Sequence, residues 1–239
     1  MPTTLDPLPL MQSATAARPL AGLTVLVVED SRFASEAVRL LCLKSGARIR
    51  RADSLRAARR HLSVYAPTVL IVDLGLPDGS GLDLIRDFNS VSPRIPVILA
   101  SSGDDRQFGL ATDAGADGTL LKPIESLSVF QNAVLAHLPV DQHPGGLRIV
   151  SNEVLSPDQV ALHDDLAHIA DVLTTSEDER TIDYITQFLT GVARSAHDTP
   201  LEDAAATLAA RRIAGGSYGS DLARVAGLLQ DRIQRRANI

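Results

Sequence analysis

The sequence predicts an α/β domain with a five-stranded, doubly wound parallel sheet, followed by an all-α domain of four helices. Between residues 24 and 138, short β-branched runs alternate with helical stretches, which is the rhythm of such a sheet. The runs TVLVV and TVLIV are apolar without interruption, as strands buried on both faces require. After Pro139 the strand patterns fade and helical patterns with amino-terminal caps accumulate, which predicts the second domain.

The first domain divides into ten predicted elements. Strands are predicted over residues 24–28, 47–51, 68–72, 96–100 and 118–121. Helices are predicted over residues 31–45, 54–64, 81–90, 104–114 and 126–138. Because crossovers between parallel strands are right-handed, these helices should cover both faces of the sheet.

Three cap patterns mark helices in the second domain. Ser156, Ser176 and Thr199 each precede a Glu or Gln by three residues, the spacing of a capping box. Apolar residues then recur at i, i+3, i+4 and i+7 in four stretches, so we expect an antiparallel bundle. We therefore expect a flexible tail over residues 1–20, the α/β domain over 21–140, a linker over 141–155 and the bundle over 156–239.

Composition and charge exclude several classes of protein. With 45% hydrophobic and 22% charged residues the chain is globular, and its one cysteine, Cys42, excludes a disulfide framework and a cysteine-rich zinc site. There is no apolar run of membrane-spanning length and no export signal, so we expect a cytoplasmic protein with no membrane partner. Residues 141–203 hold 3 basic and 13 acidic residues, which argues against nucleic acid as a partner of this half.

Acidic residues end two of the predicted strands. Glu29 and Asp30 follow the first strand and Asp73 follows the third, at the edge where open α/β sheets bind ligands. Carboxylates gathered there repel each other unless a cation such as Mg²⁺ intervenes. Ser101 and Lys122 end the later strands and complete a set of residues suited to a phosphoryl group. The chain has only two lysines, and Lys122 is one of them. Taken singly, each residue also has a structural interpretation, because a strand-end Asp often caps a helix and a lone lysine is usually solvated.

The segments VVEDS, VDLGLPDGSGLDLI, PVILASS and GADGTLLKP, in this order, closely resemble the receiver domain of two-component response regulators. The resemblance covers about residues 22–139 and implies a flavodoxin-like fold. It leaves the tail and the last hundred residues outside it. The expected partners are a sensor histidine kinase or a histidine phosphotransfer protein. The protein would then be a phosphoacceptor that gains and loses its own phosphoryl group, and whether it counts as an enzyme stays open.

The resemblance also implies a role for each site residue. Asp73 matches the phosphoacceptor, while Asp30 and Glu29 match the acidic pair that organises Mg²⁺, Glu29 either directly or through water. The main-chain carbonyl of Gly75 matches the remaining metal ligand. Lys122 matches the cation that neutralises the transferring phosphoryl group, and Ser101 matches the hydroxyl that hydrogen-bonds to it. Pro123 matches a cis-proline position.

The chain departs from the family pattern at several positions, including Thr119, Gly75 and Gly103. Thr119 stands where many receivers carry an aromatic switch residue, so the usual switch is in doubt. Gly75 and Gly103 stand two positions after the acceptor and two after the switch hydroxyl, where side chains tune hydrolysis. The sequence alone leaves the effect of these glycines on the phosphoryl lifetime open.

The output of the second domain has three interpretations. The leading one is a bundle for self-association or control of a downstream protein partner, since it requires only the amphipathic stripes. A DNA-binding output is the alternative, supported by arginines in the last helix. A phosphorelay through His163 is the third. Six arginines between positions 48 and 60 predict a solvated face, or else a docking face for the acidic segment.

Overall fold

The computed structural model describes residues 13–145, 151, 153–175 and 178–236. Residues 1–12 of the predicted tail, six residues of the predicted linker and the predicted cap Ser176 lie outside the described residues.

A five-stranded parallel sheet forms the centre of the first half, as predicted. Its strands, in chain order β1 to β5, are Thr24–Val28, Arg48–Ala52, Val69–Asp73, Val97–Ser102 and Gly118–Leu121. The spatial order is β2-β1-β3-β4-β5, so the first crossover runs to one edge and the later ones to the other. The sheet therefore has a switch point between β1 and β3, at whose carboxyl ends a crevice opens.

Five helices flank this sheet. In chain order α1 to α5, they are Arg32–Ser45, Leu55–Leu62, Gly81–Asn89, Phe108–Ala114 and Leu127–Leu135. The predicted start of α4 at residue 104 is wrong by four residues, because residues Asp105–Gln107 form a 3₁₀ turn capped by the side chain of Asp104.

Two apolar cores lie on opposite faces of the sheet. Val25 and Val27 point into one, against α1 and α5, while Leu26 and Val28 point into the other. All five residues of β3 are buried, which explains why its sequence shows no polar alternation. The sheet is thus a rigid support for side chains at its carboxyl edge.

Four helices make up the second half within the described residues. They are α6 (Gln159–Thr175), α7 (Glu179–Ser195), α8 (Thr199–Ile213) and α9 (Gly219–Arg236). Helices α6 and α8 each pack against both α7 and α9, so the four close a ring around one apolar core. The predicted four-helix region is confirmed.

The predicted caps of two of these helices are wrong. Helix α6 begins at Gln159, where Asp158 accepts from the Val160 amide, and not directly after Ser156. Helix α8 is capped by Asp198, which accepts from the Leu201 amide, while Thr199 is already helical. In both cases an aspartate next to the helix accepts from one of its free amides, and the negative charge also interacts favourably with the helix dipole.

The helical second half packs against the first half through a buried aspartate. Asp165 of α6 is 3% exposed, and its carboxylate accepts from Ser31 Oγ at 2.7 Å, from the Arg32 amide at 2.9 Å and from the Phe33 amide at 3.0 Å. The two amides are the first of α1 and have no partner within the helix, and Ser31 is the residue that caps it. One carboxylate therefore joins α6 to the start of α1.

Substitutions of Asp165 and of its neighbour Asp164 should differ in their effect on stability. We expect Asp165→Ala to lower the free energy of unfolding by about 2 to 3 kcal/mol, because three donors lose a charged acceptor. Asp164→Ala is the matched control, since its ion pair with Arg32 is exposed and should contribute less than about 1 kcal/mol. Urea denaturation of both variants measures the difference, and equal losses would refute the assigned role of Asp165.

Candidate functional site

Three carboxylates meet at the carboxyl edge of the sheet. Glu29 and Asp30 follow β1 and Asp73 ends β3, and these strands are neighbours. One carboxylate oxygen from each residue lies within 4.8 Å of the others. Glu29 and Asp73 are buried. The structure thus brings together the three acidic residues that the sequence analysis selected.

Lys122 supplies the positive charge at this cluster. Its Nζ lies 2.6 Å from Glu29 Oε2 and 3.1 Å from Asp73 Oδ2. The peptide bond to Pro123 is cis, as the resemblance implies. Ser101 is buried and pairs with Asp73 in the register of β3 and β4. The predicted site residues therefore converge on Asp73 from three neighbouring strands and from the segment after β5.

Burial shifts the protonation of this cluster. It raises the pKa of Asp30 to about 7, with the neighbouring Asp73 adding to the effect. It also raises the pKa of Glu29. Burial alone would lower the pKa of Lys122, but the carboxylates of Asp73 and Glu29 outweigh it and raise that pKa, so the ammonium stays charged. Fully ionised, three carboxylates face one ammonium, which leaves an excess of two negative charges.

This donor set fits Mg²⁺. The ion prefers oxygen ligands and accepts one or two carboxylates while it keeps several waters. A divalent cation would balance the two excess charges of the cluster. Gly75 begins a short hairpin, Gly75–Leu76 with Gly79–Ser80, directly beyond β3, on the same side as the carboxylates. Its carbonyl remains a predicted ligand.

Helix α7 contributes site residues that the sequence analysis missed. The hydroxyl of Tyr184 donates to Asp30 Oδ2 at 2.8 Å. Burial and the adjacent Asp30 raise the pKa of Tyr184, which keeps the phenol protonated as a donor. The side chain of Gln187 lies against Gly75, and Arg194 donates to the carbonyl of Gly103. The sequence held only a weak indication of these three residues, namely that they share the side of α7 opposite its apolar stripe.

The other residues selected from the sequence lie elsewhere. His163 lines a groove with Leu166, Leu201 and Arg232, within the helical half. His168 instead lines the cleft beside Asp30.

Two of the six arginines between positions 48 and 60 form ion pairs within the first half. Arg51 pairs with Glu36 and Arg59 with Asp87. Among the described ion pairs, those that join the first half to residues 141–203 use Arg32, Lys44 and Glu125. Arg51, Arg56 and Arg60 line the same cleft as Asp164 and Asp171 without pairing with them in the described residues. Among the described residues, therefore, no ion pair joins these six arginines to the helical half.

Across the part of the chain that the structure describes, none of the helices combines the length and the apolar character needed to cross a membrane.

The first half of the chain is similar in sequence to known proteins. Residues 25–133 match the family model described as the response regulator receiver domain. The KDP operon transcriptional regulatory protein KdpE of Escherichia coli K12 is 34% identical over 99 residues, which is 41% of this chain and 44% of KdpE. The virulence transcriptional regulatory protein PhoP of Salmonella typhimurium strain 14028s is 35% identical over 100 residues, 41% of this chain and 45% of PhoP.

A solved structure, a CheY-like response regulator receiver domain from Methylobacillus flagellatus, is 28% identical. The match covers 43% of this chain and 88% of the Methylobacillus flagellatus chain, with a TM-score of 0.40. Each alignment with a curated relative spans less than half of that relative's length.

The raised pKa of Asp30 predicts how Mg²⁺ affinity depends on pH. The ion binds the carboxylate, so a proton must leave Asp30 when the ion binds. Below its pKa of about 7, protonation competes, and we expect the affinity to fall by up to about tenfold per pH unit.

Calorimetric titration with Mg²⁺ between pH 6 and 8 measures this slope. Asp30→Asn is the control, because its amide does not titrate and its weaker binding should depend less on pH. An unchanged wild-type affinity across this range would contradict the role of Asp30.

Proposed function

Residues 25–133 are a receiver domain of the response regulator family, and from this premise we propose that the chain accepts a phosphoryl group on Asp73 and passes the signal to its helical half. The observation that carries the proposal is the environment of Asp73. Its carboxylate ends a buried strand, contacts Lys122 Nζ at 3.1 Å and lies beside Glu29 and Asp30. This combination of nucleophile, fixed cation and metal-ligand oxygens is what phosphoryl transfer to a carboxylate requires.

In the proposed reaction, an Asp73 carboxylate oxygen attacks the phosphorus of a phosphohistidine on a kinase or phosphotransfer protein, or of a small phosphodonor. The new P–O bond forms as the bond to the leaving nitrogen or oxygen breaks. Lys122 stabilises the negative charge on the equatorial oxygens, and the Ser101 hydroxyl donates to one of them once the phosphoryl group is attached. Asp30, Asp73, the Gly75 carbonyl and Glu29, directly or through water, would hold Mg²⁺, which adds charge neutralisation.

The proposed output is a protein contact controlled by the helical half. We divide the chain into a receiver domain over residues 21–140, a linker over 141–155 and the bundle over 156–239. The support is a contact: α7 reaches the acidic cluster directly through Tyr184. A phosphoryl group on Asp73 would change the charge next to this helix, and so change how the bundle associates with the receiver, a downstream partner or a second copy.

A DNA-binding output is the second candidate. KdpE and PhoP are named as transcriptional regulatory proteins, which favours it. Two of the four arginines in the last helix weigh against it, because Arg232 pairs with Asp198 and Arg235 pairs with Asp231. Paired arginines contribute less to phosphate binding than free ones. A relay through His163 has less support, since that residue lies in a groove of the bundle.

Phosphorylation of Asp73 is directly testable. The wild-type chain should gain one phosphoryl group from phosphoramidate in the presence of Mg²⁺, and Asp73→Asn should gain none, because the amide is not a nucleophile here. Asp113→Asn, an exposed position, is the matched control and should be labelled like the wild type. Intact-protein mass spectrometry measures the labelling. Equal labelling of Asp73→Asn would refute the assignment, and a label on His163 would favour the relay.

A further inference from the structure

Helix α7 lies across the carboxyl edge of the sheet and places one polar side chain at each of three strand ends. Tyr184 contacts Asp30 after β1, Gln187 contacts Gly75 after β3, and Arg194 contacts Gly103 after β4. Positions 184, 187 and 194 are separated by three and seven residues, so they share one face of the helix. This polar face points at the site that contains Asp73.

The amide of Gln187 occupies the place where a side chain at position 75 would begin. A Cβ built on Gly75 would overlap Gln187 Nε2 and lie 3.0 Å from Gln187 Oε1. Gly75 is not among the glycines with positive φ, so its backbone conformation does not require glycine. The requirement is space. Because Gly75, two residues after Asp73, has no side chain, the amide of Gln187 from the helical half fits at this position.

Contacts of Asp165 and Arg194 help to fix the position of α7 over the site. Asp165 ties the neighbouring helix α6 to the start of α1, and the guanidinium of Arg194 is fixed by Glu202 through its Nε at 2.8 Å. Gln187 itself remains exposed to solvent. The amide is thus held beside the backbone of Gly75, two residues after the acceptor, where water can still reach it.

From this geometry we propose that Gln187 acts on the phosphorylated Asp73 by orienting the water that hydrolyses it, so that the helical half sets the lifetime of the phosphoryl group. The inference rests on the proposed function of Asp73. An amide suits the task because its carbonyl accepts a hydrogen bond from the water while its NH₂ group donates to a phosphoryl oxygen. Holding water and phosphorus in line removes the orientational part of the barrier.

The reaction is balanced without any further reactant. The water oxygen attacks phosphorus, and the bond between phosphorus and the Asp73 oxygen breaks, with its electron pair left on the carboxylate. One proton of the water passes to a phosphoryl oxygen. The dianionic acyl phosphate and water thus become the Asp73 carboxylate and dihydrogen phosphate, and Gln187 is unchanged.

The experiment uses the full chain with acetyl phosphate and Mg²⁺. Two rates are measured: the release of inorganic phosphate at steady state, and the decay of the phosphorylated protein after rapid removal of acetyl phosphate. Gln187→Ala should slow the decay by about tenfold to a hundredfold, the effect of losing one positioned hydrogen-bonding group. Gln230→Ala, an exposed glutamine of α9, is the matched control and should decay like the wild type.

Gly75→Ala gives an independent test, because its Cβ displaces the Gln187 amide without removing it. We expect slower decay in this variant, and the double variant should be no slower than the slower single variant, since both act on one group. Far-ultraviolet circular dichroism and melting curves check that each variant is folded.

The outcomes separate this inference from the proposed function. Labelling that depends on Asp73, with decay unaffected by Gln187→Ala, would overturn the role of Gln187 alone. If Gln187→Ala is labelled faster than the wild type and its decay is unchanged or faster, then α7 only covers the site. This result would also overturn the role of Gln187 in hydrolysis. If neither the wild type nor any variant is labelled or releases phosphate, both the proposed function and this inference fail.

Discussion

The balance of charge around Lys122 is the constraint on which the site depends. Among the described residues it is the one buried basic side chain, and it faces the carboxylates of Glu29 and Asp73 at hydrogen-bonding distance, with Asp30 close by. Buried charges that lack partners are costly, so an acidic cluster of this kind needs the lysine in place, and its carboxylate oxygens are suited to a divalent cation. The sheet makes this possible, because β1 and β3 are neighbours and end at the same edge.

The second constraint is that the site lies at the contact between the two halves of the chain. Asp165 fixes α6 to the first amides of α1, and α1 starts directly after the acidic pair. Tyr184 then joins α7 to Asp30 itself. The carboxylate that the resemblance assigns to Mg²⁺ is therefore also a hydrogen-bond acceptor for the helical half. A change in charge at Asp73 would therefore act on groups that hold the two halves together.

The residues predicted from sequence and those missed differ in how their positions are determined. Strand-end residues such as Asp73 and Lys122 were found because the strand pattern places them at a known edge of the sheet. Asp165 was counted only as one charge in an acidic segment, although it falls on the apolar face of α6, three residues after Leu162 and four before Ile169. A charged residue on an apolar face is a signal of a buried partner. The partner, the start of α1, is 132 to 134 residues away in sequence and could not be identified.

The sequence by itself determined the parallel sheet and the four amphipathic helices, and it selected the six residues proposed for the phosphoryl site, because each follows from local periodicity or from motifs within one stretch of chain. It also placed glycine at positions 75 and 103 but left their effect open. Only the tertiary structure decided which side chains fill the space beside those glycines, that Asp198 and not Thr199 caps α8, and that Arg51 and Arg59 pair within their own half. The physical reason is that these contacts join groups from distant elements, or depend on competition between adjacent caps, and neither is encoded in a single repeating pattern.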